Sequence, residues 1–190
     1  MKIVEQALWF SLPVILAGLT HIAAIRLDWL PALARVPLDG GCTVRGRRLL
    51  GANKTLRGAL VMVAATVLAT AALAWAGGAV HRELSVADLQ RNQPWLWGLL
   101  LGLGYIAGEL PNSFIKRQLD IPPGAAPRRR WRAFFWTFDQ ADSLIGILVV
   151  LAFIWRPDPA FAAVLLALTL LVHPAVAGLM VLLKLKDRIG

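Results

Sequence analysis

Four stretches of this chain are apolar for long enough to cross a bilayer, and that property excludes an ordinary soluble domain. Ile3 to Ile25, Ala59 to Val80, Pro94 to about Ile115 and Ala160 to Leu183 each reach the roughly 20 mostly apolar residues that a membrane helix needs. A fifth run, Ser143 to Trp155, is too short alone. It spans only if its helix also takes in the stretch from about Phe134, with Asp139 and Asp142 inside it. A chain with 58% hydrophobic and 16% charged residues is also far more apolar than soluble domains are. The expected fold is an all-α integral membrane protein. It forms one membrane-embedded domain over residues 1–190, with about five helices near 3–25, 58–80, 94–116, 134–155 and 159–183 and long loops at 26–57 and 117–133.

The first run follows Lys2 but is longer than the apolar part of a signal peptide, and no small-residue cleavage site closes it. It reads as a retained helix. A single cysteine, Cys42, supports neither an internal disulfide framework nor a metal-type cysteine spacing.

The net charge of +9 is mostly topological. Arg26, Arg35, Arg45, Arg47, Arg48, Lys54 and Arg57 lie between the first two spans, and Lys116, Arg117, Arg128, Arg129, Arg130 and Arg132 between the third and fourth. Lys184, Lys186 and Arg188 close the tail, whereas the other side receives only Lys2, Arg82, Arg91 and Arg156. Sixteen cations against four place both long loops and the C-terminus in the cytoplasm and the N-terminus outside. The expected location is the cell (inner) membrane, multi-pass, with the polar face towards the cytoplasm and no need for a nucleic-acid partner. The basic excess also suits an anionic leaflet. Trp29, Trp75, Trp95, Trp97, Trp131, Trp136 and Trp155 fall near the proposed helix ends, where amphipathic rings prefer to sit.

Polar chemistry gathers in three stretches on that side. Leu38 to Ala59 carries glycines at 40, 41, 46, 51 and 58, which allow close backbone approach to a ligand. A helix starting near Asn53 would bring Lys54 and Arg57 to one face. A Gly-rich backbone with paired cations fits a phosphate cradle; it equally fits a basic loop that obeys topology. It is not a P-loop, although Lys54-Thr55 resembles that motif's ending.

In the second stretch, Glu109, Asn112, Ser113 and Lys116 recur at i, i+3, i+4 and i+7, a single helical stripe. Pro111 removes a backbone donor and is expected to kink or unwind the helix. Either the stripe lines a cavity, or Glu109 snorkels and pairs with an arginine. In the third, Asp139 and Asp142 project about 60° apart on a helix. As acids in first turns they could answer the helix dipole. Two like charges on one face repel, however, and a divalent cation removes the conflict. Oxygen ligands point to Mg²⁺ held with substrate phosphates. His21 and His173 read as interhelical hydrogen-bonding residues, and Gly102 and Gly104 as marks of close helix packing. The small residues of the third helix would permit a homodimer.

Together these stretches predict a phosphate-bearing substrate with Mg²⁺ and, at that depth, a lipid as second substrate. The chain resembles the CDP-archaeol synthase family, a branch of the membrane CTP:phosphatidate cytidylyltransferases. The resemblance rests on Asp39-Gly-Gly41 followed by Gly-x-x-Lys-Thr-x-Arg-Gly at 51–58, on Ser113-Phe-Ile-Lys-Arg117, and on Asp139-x-x-Asp142. The chain departs from the pattern at Gly108-Glu109, where Gly-Asp is expected, and in the bulky, basic RRRWRAFFWTF before Asp139. Its Ala-, Arg- and Trp-rich composition reads as bacterial rather than archaeal.

The resemblance implies transfer of CMP from CTP to a membrane lipid phosphate (phosphatidate or an isoprenoid ether analogue), giving a CDP-lipid and pyrophosphate. It implies Mg²⁺ on Asp139 and Asp142 with Glu109 assisting, and Lys116 and Arg117 on the lipid phosphate or the departing pyrophosphate. Lys54, Thr55, Arg57, Gly40 and Gly41 would bind the CTP phosphates, and Asn112 and Ser113 phosphate or cytosine. The competing expectations are a non-enzymatic lipid or ion carrier, a membrane scaffold, and another nucleotide-dependent lipid enzyme such as a polyprenol kinase.

Overall fold

A computed structural model describes residues 2–77 and 92–184 of the chain. Among the described residues six α-helices order it: α1 (Lys2–Arg26), the short α2 (Pro31–Ala34), α3 (Leu56–Gly77), α4 (Pro94–Gln118), α5 (Arg132–Leu151) and α6 (Pro159–Leu182). Among the described residues, Lys2–Arg26, Leu56–Ala76, Arg129–Leu151 and Pro159–Leu182 are long and apolar enough to cross a membrane. The α4 helix equals α1 in length at 25 residues, but its C-terminal part carries Glu109, Lys116 and Arg117, and it is not one of those four. The predicted end of the second span at residue 80, Arg82, Arg91, Lys186 and Arg188 lie outside the described residues.

Local sequence explains most boundaries. Asp158 caps α6 by accepting from the N–H groups of Ala160 (2.7 Å) and Phe161 (3.2 Å), with Pro159 in the first turn. The α4 helix ends where Asp120 turns to φ 56° and the Ile121 N–H bonds back to the Lys116 carbonyl at 2.9 Å, a left-handed cap. Pro111 does not unwind α4, which runs unbroken through it. The helix tolerates the proline because only one intrahelical bond is lost, within a segment held on both sides.

The α4 helix is the centre of the bundle, packed along α5 and α3, while α1 closes the ring against α3 and α6. Glycines set these spacings. A Cβ on Gly98 or Gly102 would meet the α3 backbone at Val67 (2.5 Å) or Val63 (2.9 Å), and one on Gly104 would meet Ile147 of α5 at 2.6 Å. On Gly108 it would strike the Asp142 carbonyl oxygen. The expectation of close packing is met, inside one chain. These small residues are therefore covered by α3 and α5, and the homodimer expectation loses its basis. Thr66 and Thr70, buried on the α3 face, return their hydroxyls to the Met62 (2.7 Å) and Thr66 (2.8 Å) carbonyls, so the contact stays dry without an unsatisfied donor.

The bundle has two chemically distinct ends. At one, Phe10, Trp97, Trp155 and Phe161 form a ring cluster with centroids 5.6–5.8 Å apart. It continues into the core through Leu101, Leu144, Ile147, Leu151 and Leu165. At the other end, Arg26 of α1 donates to the Leu183 carbonyl beyond α6 at 2.8 Å, and the loop between α2 and α3 lies on the end of α4. That loop contains a minimal antiparallel hairpin, β1 (Thr43–Val44) and β2 (Arg47–Arg48), turning through Arg45 (φ 54°) and Gly46 (φ 76°). Two consecutive positive φ values suit a two-residue hairpin turn, and glycine makes the second inexpensive.

Candidate active site

The four residues of the α4 stripe all face inward and each is engaged, Lys116 and Asn112 sharing Asp139. Glu109 is ion-paired with Lys54 and also takes a hydrogen bond from the Tyr105 hydroxyl. Ser113 Oγ accepts the Gly51 N–H at 3.0 Å, fastening the loop to the helix. Lys116 pairs with Asp139 of α5 while its ammonium lies 5.5 Å from the Phe135 ring centroid. Asn112, only 4% exposed, stands between the acids, and its Nδ2 donates to Asp139 Oδ1 (2.6 Å) and Asp142 Oδ2 (2.7 Å).

The two acids sit deeper than first turns. The α5 helix begins at Arg132 and has no acid in its first turn, so Asp139 and Asp142 lie two to three turns inside it. The dipole reading is thereby corrected: RRRWRAFF starts the helix early, because its apolar side packs through Phe135, which is buried. Asp142 Oδ1 accepts from the Ser143 N–H (2.6 Å) and hydroxyl (3.0 Å). Among the described residues it has no cation within salt-bridge distance.

Three carboxylates thus face two lysines. Asn112 Oδ1, moreover, is buried with no hydrogen-bond partner, and a buried unpaired acceptor costs about 1–3 kcal/mol. An excess negative charge beside an orphaned carbonyl oxygen is a hard-oxygen donor set suited to a divalent cation. In this structure Glu109 is engaged by Lys54 and Tyr105, and among the described residues no three acids, histidines or cysteines form a group that could hold a metal.

Backbone pairing aims Lys54. Leu38 N–H bonds to the Lys54 carbonyl at 2.8 Å, Leu56 N–H to the Val36 carbonyl at 2.9 Å, and Pro37 bridges Thr55. The helix starts two residues after Lys54, so Lys54 and Arg57 do not share a face as expected. Arg57 turns away to Asp28 (2.9 Å) and the Trp29 carbonyl, and the Thr55 hydroxyl accepts the Gly58 N–H at 3.3 Å, capping α3. Gly40 and Gly41 lie exposed on the loop rim with φ of 58° and 84°. Arg117 enters the same end of α4, its Nε and Nη1 buried without a partner.

Sequence reasoning did not include Asp39 among the site residues, although its motif was visible. Its side chain is 1% exposed and accepts from Gly41 N–H (3.0 Å), Leu50 N–H (2.9 Å) and Arg48 Nη2 (2.5 Å). Burial pushes this carboxyl up, but the Gly41 N–H, the Arg48 guanidinium and the Leu50 N–H outweigh it and hold the group below its ordinary value. Tyr105, Ser143 and Gln140 were also missed, since lone polar residues in apolar helices carry no spacing signal. His173 meets its expectation, its Nδ1 lying 2.9 Å from Gln140 Oε1 across α6 and α5. Gln140, Ser143, Tyr105 and His173 are among the polar residues lining a mostly apolar cavity of about 100 Å³ between α1, α4, α5 and α6.

The chain is similar to known proteins over most of its length. The sequence matches, over residues 1–189, the family model described as CarS-like: CDP-archaeol synthase. A CDP-archaeol synthase of Methanopyrus kandleri is 36% identical over 188 residues, covering 96% of this chain and 91% of the relative. One of Aeropyrum pernix is 33% identical over 190 residues, covering 95% and 89%. A solved structure described as structural insight into an intramembrane enzyme for archaeal membrane lipids biosynthesis is 30% identical, with a TM-score of 0.65 over 90% of this chain and 92% of that one. The relatives are archaeal, so the bacterial reading of the composition finds no support here. With its four apolar spans, the chain is an all-α, multi-pass membrane protein.

Proposed function

The chain belongs to the CarS-like CDP-archaeol synthase family, whose chemistry is of the CTP-dependent cytidylyltransferase type, and we propose that it forms a CDP-activated isoprenoid ether lipid. A phosphate oxygen of the lipid attacks the α-phosphorus of CTP. The bond from that phosphorus to the bridging oxygen of the β-phosphate breaks, and pyrophosphate leaves with the electron pair. A phosphomonoester has its second pKa near 6, so the nucleophile is largely deprotonated at neutral pH and no general base is required. Positioning and charge neutralisation carry the reaction.

The observation that supports this reading is the gathering of Lys54 on Glu109 and Lys116 on Asp139 around the Asn112-bridged acids, with Arg117 at the same end of α4. Lys54 and Lys116 hold carboxylates that phosphate oxygens would replace as partners. Arg117 brings buried N–H groups that already lack an acceptor, the condition under which a phosphate is bound most favourably. Asp139, Asp142 and Asn112 Oδ1 would hold Mg²⁺, which when bound supplies neutralisation of nucleotide phosphate oxygens. Ser113 and the Gly51 N–H keep the loop seated while Lys54 exchanges partners. Arg57, engaged by Asp28, braces the base of α3 rather than the triphosphate.

We count α4 as a fifth span and take residues 1–190 as one membrane-embedded unit. By the charge asymmetry the site faces the cytoplasm. Purified protein with radiolabelled CTP, Mg²⁺ and either phosphatidic acid or an unsaturated isoprenoid ether glycerol phosphate tests the proposal. Label should enter the lipid phase with the ether substrate, disappear on chelation and be lost in Asp139→Asn. Transfer of the γ-phosphate instead, with no pyrophosphate, would assign a kinase.

A further inference from the structure

The most basic segment of the chain plays no part in the chemistry above. Arg128, Arg129, Arg130 and Arg132 stand exposed at the start of α5, on the same end of the bundle as the site. None forms an ion pair among the described residues. Arg130 is stacked on Trp131 at 5.5 Å. Arg129 and Arg132 instead line a shallow recess with Ala133, Trp136 and Thr137, positions that repeat at i, i+3, i+4, i+7 and i+8 and therefore share one face.

Large rings on these turns are also exposed, Trp136 on this face and Trp131 and Phe134 on other sides of the helix. Trp131 is 41% exposed, Phe134 53% and Trp136 43%. Arginines beside exposed indoles, where an apolar span begins, mark the depth at which lipid headgroups lie. A soluble anion would use the cations and leave the rings in water, whereas a lipid uses both. The same face continues along α5 to the chemistry: Arg132, Trp136 and Asp139 fall within a sector of about 60°, and Asp139 lies about 10 Å further along the axis.

We infer that the face formed by Arg129, Arg132 and Trp136 is a docking site for the headgroup of an anionic membrane lipid, distinct from the site of nucleotidyl transfer. It concentrates acidic lipids at the mouth of the catalytic site and makes the local leaflet composition a determinant of its supply.

The test needs neither CTP nor turnover, so it stands apart from the proposed activity. Detergent-solubilised protein is titrated with brominated phosphatidylglycerol or brominated phosphatidylcholine while tryptophan fluorescence is followed. Phosphatidylglycerol, a phosphodiester, cannot serve as the phosphomonoester substrate. The wild type should be quenched at a lower mole fraction of the anionic lipid. Arg129→Gln with Arg132→Gln should weaken that preference by up to about 30-fold, roughly fivefold per arginine near an anionic surface, while phosphatidylcholine quenching stays unchanged and so reports an intact fold. Arg129→Lys with Arg132→Lys should retain the preference, and Trp136→Phe should reduce its amplitude. An undiminished preference in the Gln variant overturns the proposal. So does complete displacement of the anionic lipid by millimolar inorganic phosphate, which would identify a free-phosphate site.

Discussion

Gly108→Ala should disable the site more than it destabilises the bundle. Its new Cβ would stand 2.9 Å from the Asp142 carbonyl carbon and 3.0 Å from Gly146 Cα, and closer still to the Asp142 carbonyl oxygen. Carbon contacts become favourable only at about 3.5–4.0 Å, and the carbonyl oxygen stands closer than either carbon, so α5 must retreat from α4 by about 1 Å or more. Overpacking of this size costs about 1–3 kcal/mol. The retreat, however, falls on the turn of α5 that presents Asp142, opposite Asn112 on the next turn of α4. A misplacement of about 1 Å can reduce turnover by about 10²-fold. Thermal unfolding in detergent and CDP-lipid formation, measured on one preparation, separate the two effects. Gly18→Ala is the control: nothing lies within 4 Å of its added carbon, and alanine in a helix gains up to about 1 kcal/mol over glycine. Gly108→Ala with wild-type turnover and wild-type melting would refute the idea that this glycine contact registers the acids against α4.

Further outcomes follow from the site. Asn112→Leu should abolish turnover and lower stability by about 1–3 kcal/mol, because buried Asp142 and half-buried Asp139 lose their shared donor; comparable melting to wild type would contradict the bridge. Asp139→Asn should leave Lys116 without its counter-ion and remove the response of initial rate to added Mg²⁺, a dependence that persists if the acids are structural only. The depressed Asp39 carboxyl makes loop stability pH-dependent with a definite sign. Its contribution is complete above the ordinary value of 3.8 and is lost as pH falls through the lower folded value. Protection factors at Gly41 and Leu50, that is exchange rates divided by the intrinsic rate at each pH, should therefore be steady between about pH 5 and 8 and fall in acid, whereas Asp39→Ala should show low protection throughout.

Much of this arrangement was legible in the residues because hydropathy and helical spacing are local. The stripe from Glu109 to Lys116 is fixed by periodicity alone, and α4 turns all four members inward. Where α5 begins was misjudged, since arginines and aromatics between loop and span give no cap signal, and burial of Phe135 decides the matter only once α5 is packed. Lys54 and Arg57 separate for a similar reason. The Pro37–Thr55 bridge, a tertiary pairing across 18 residues of chain, ends the loop later than an Asn53 start would allow. The role of Asp39 depends on three donors that the hairpin folds around it. The glycines were legible as packing residues but not by partner, because a small residue does not announce whether its neighbour belongs to the same chain.

The ring cluster formed by Phe10, Trp97, Trp155 and Phe161 also sets a mechanical tolerance. It joins α1, α4 and the two helices that flank the 152–158 turn at the end remote from the acids, and so serves as a pivot. The α5 helix, 20 residues long, is a lever of about 30 Å. Asp139 lies about 18 Å along it from that pivot, so a turn of about 3° moves the carboxylate by about 1 Å, enough to break the bonds by which Asn112 reaches both acids. Rings placed as far as possible from the reacting atoms thus govern their angular alignment, and a change of ring size there would be read out at the phosphates as a change of aim.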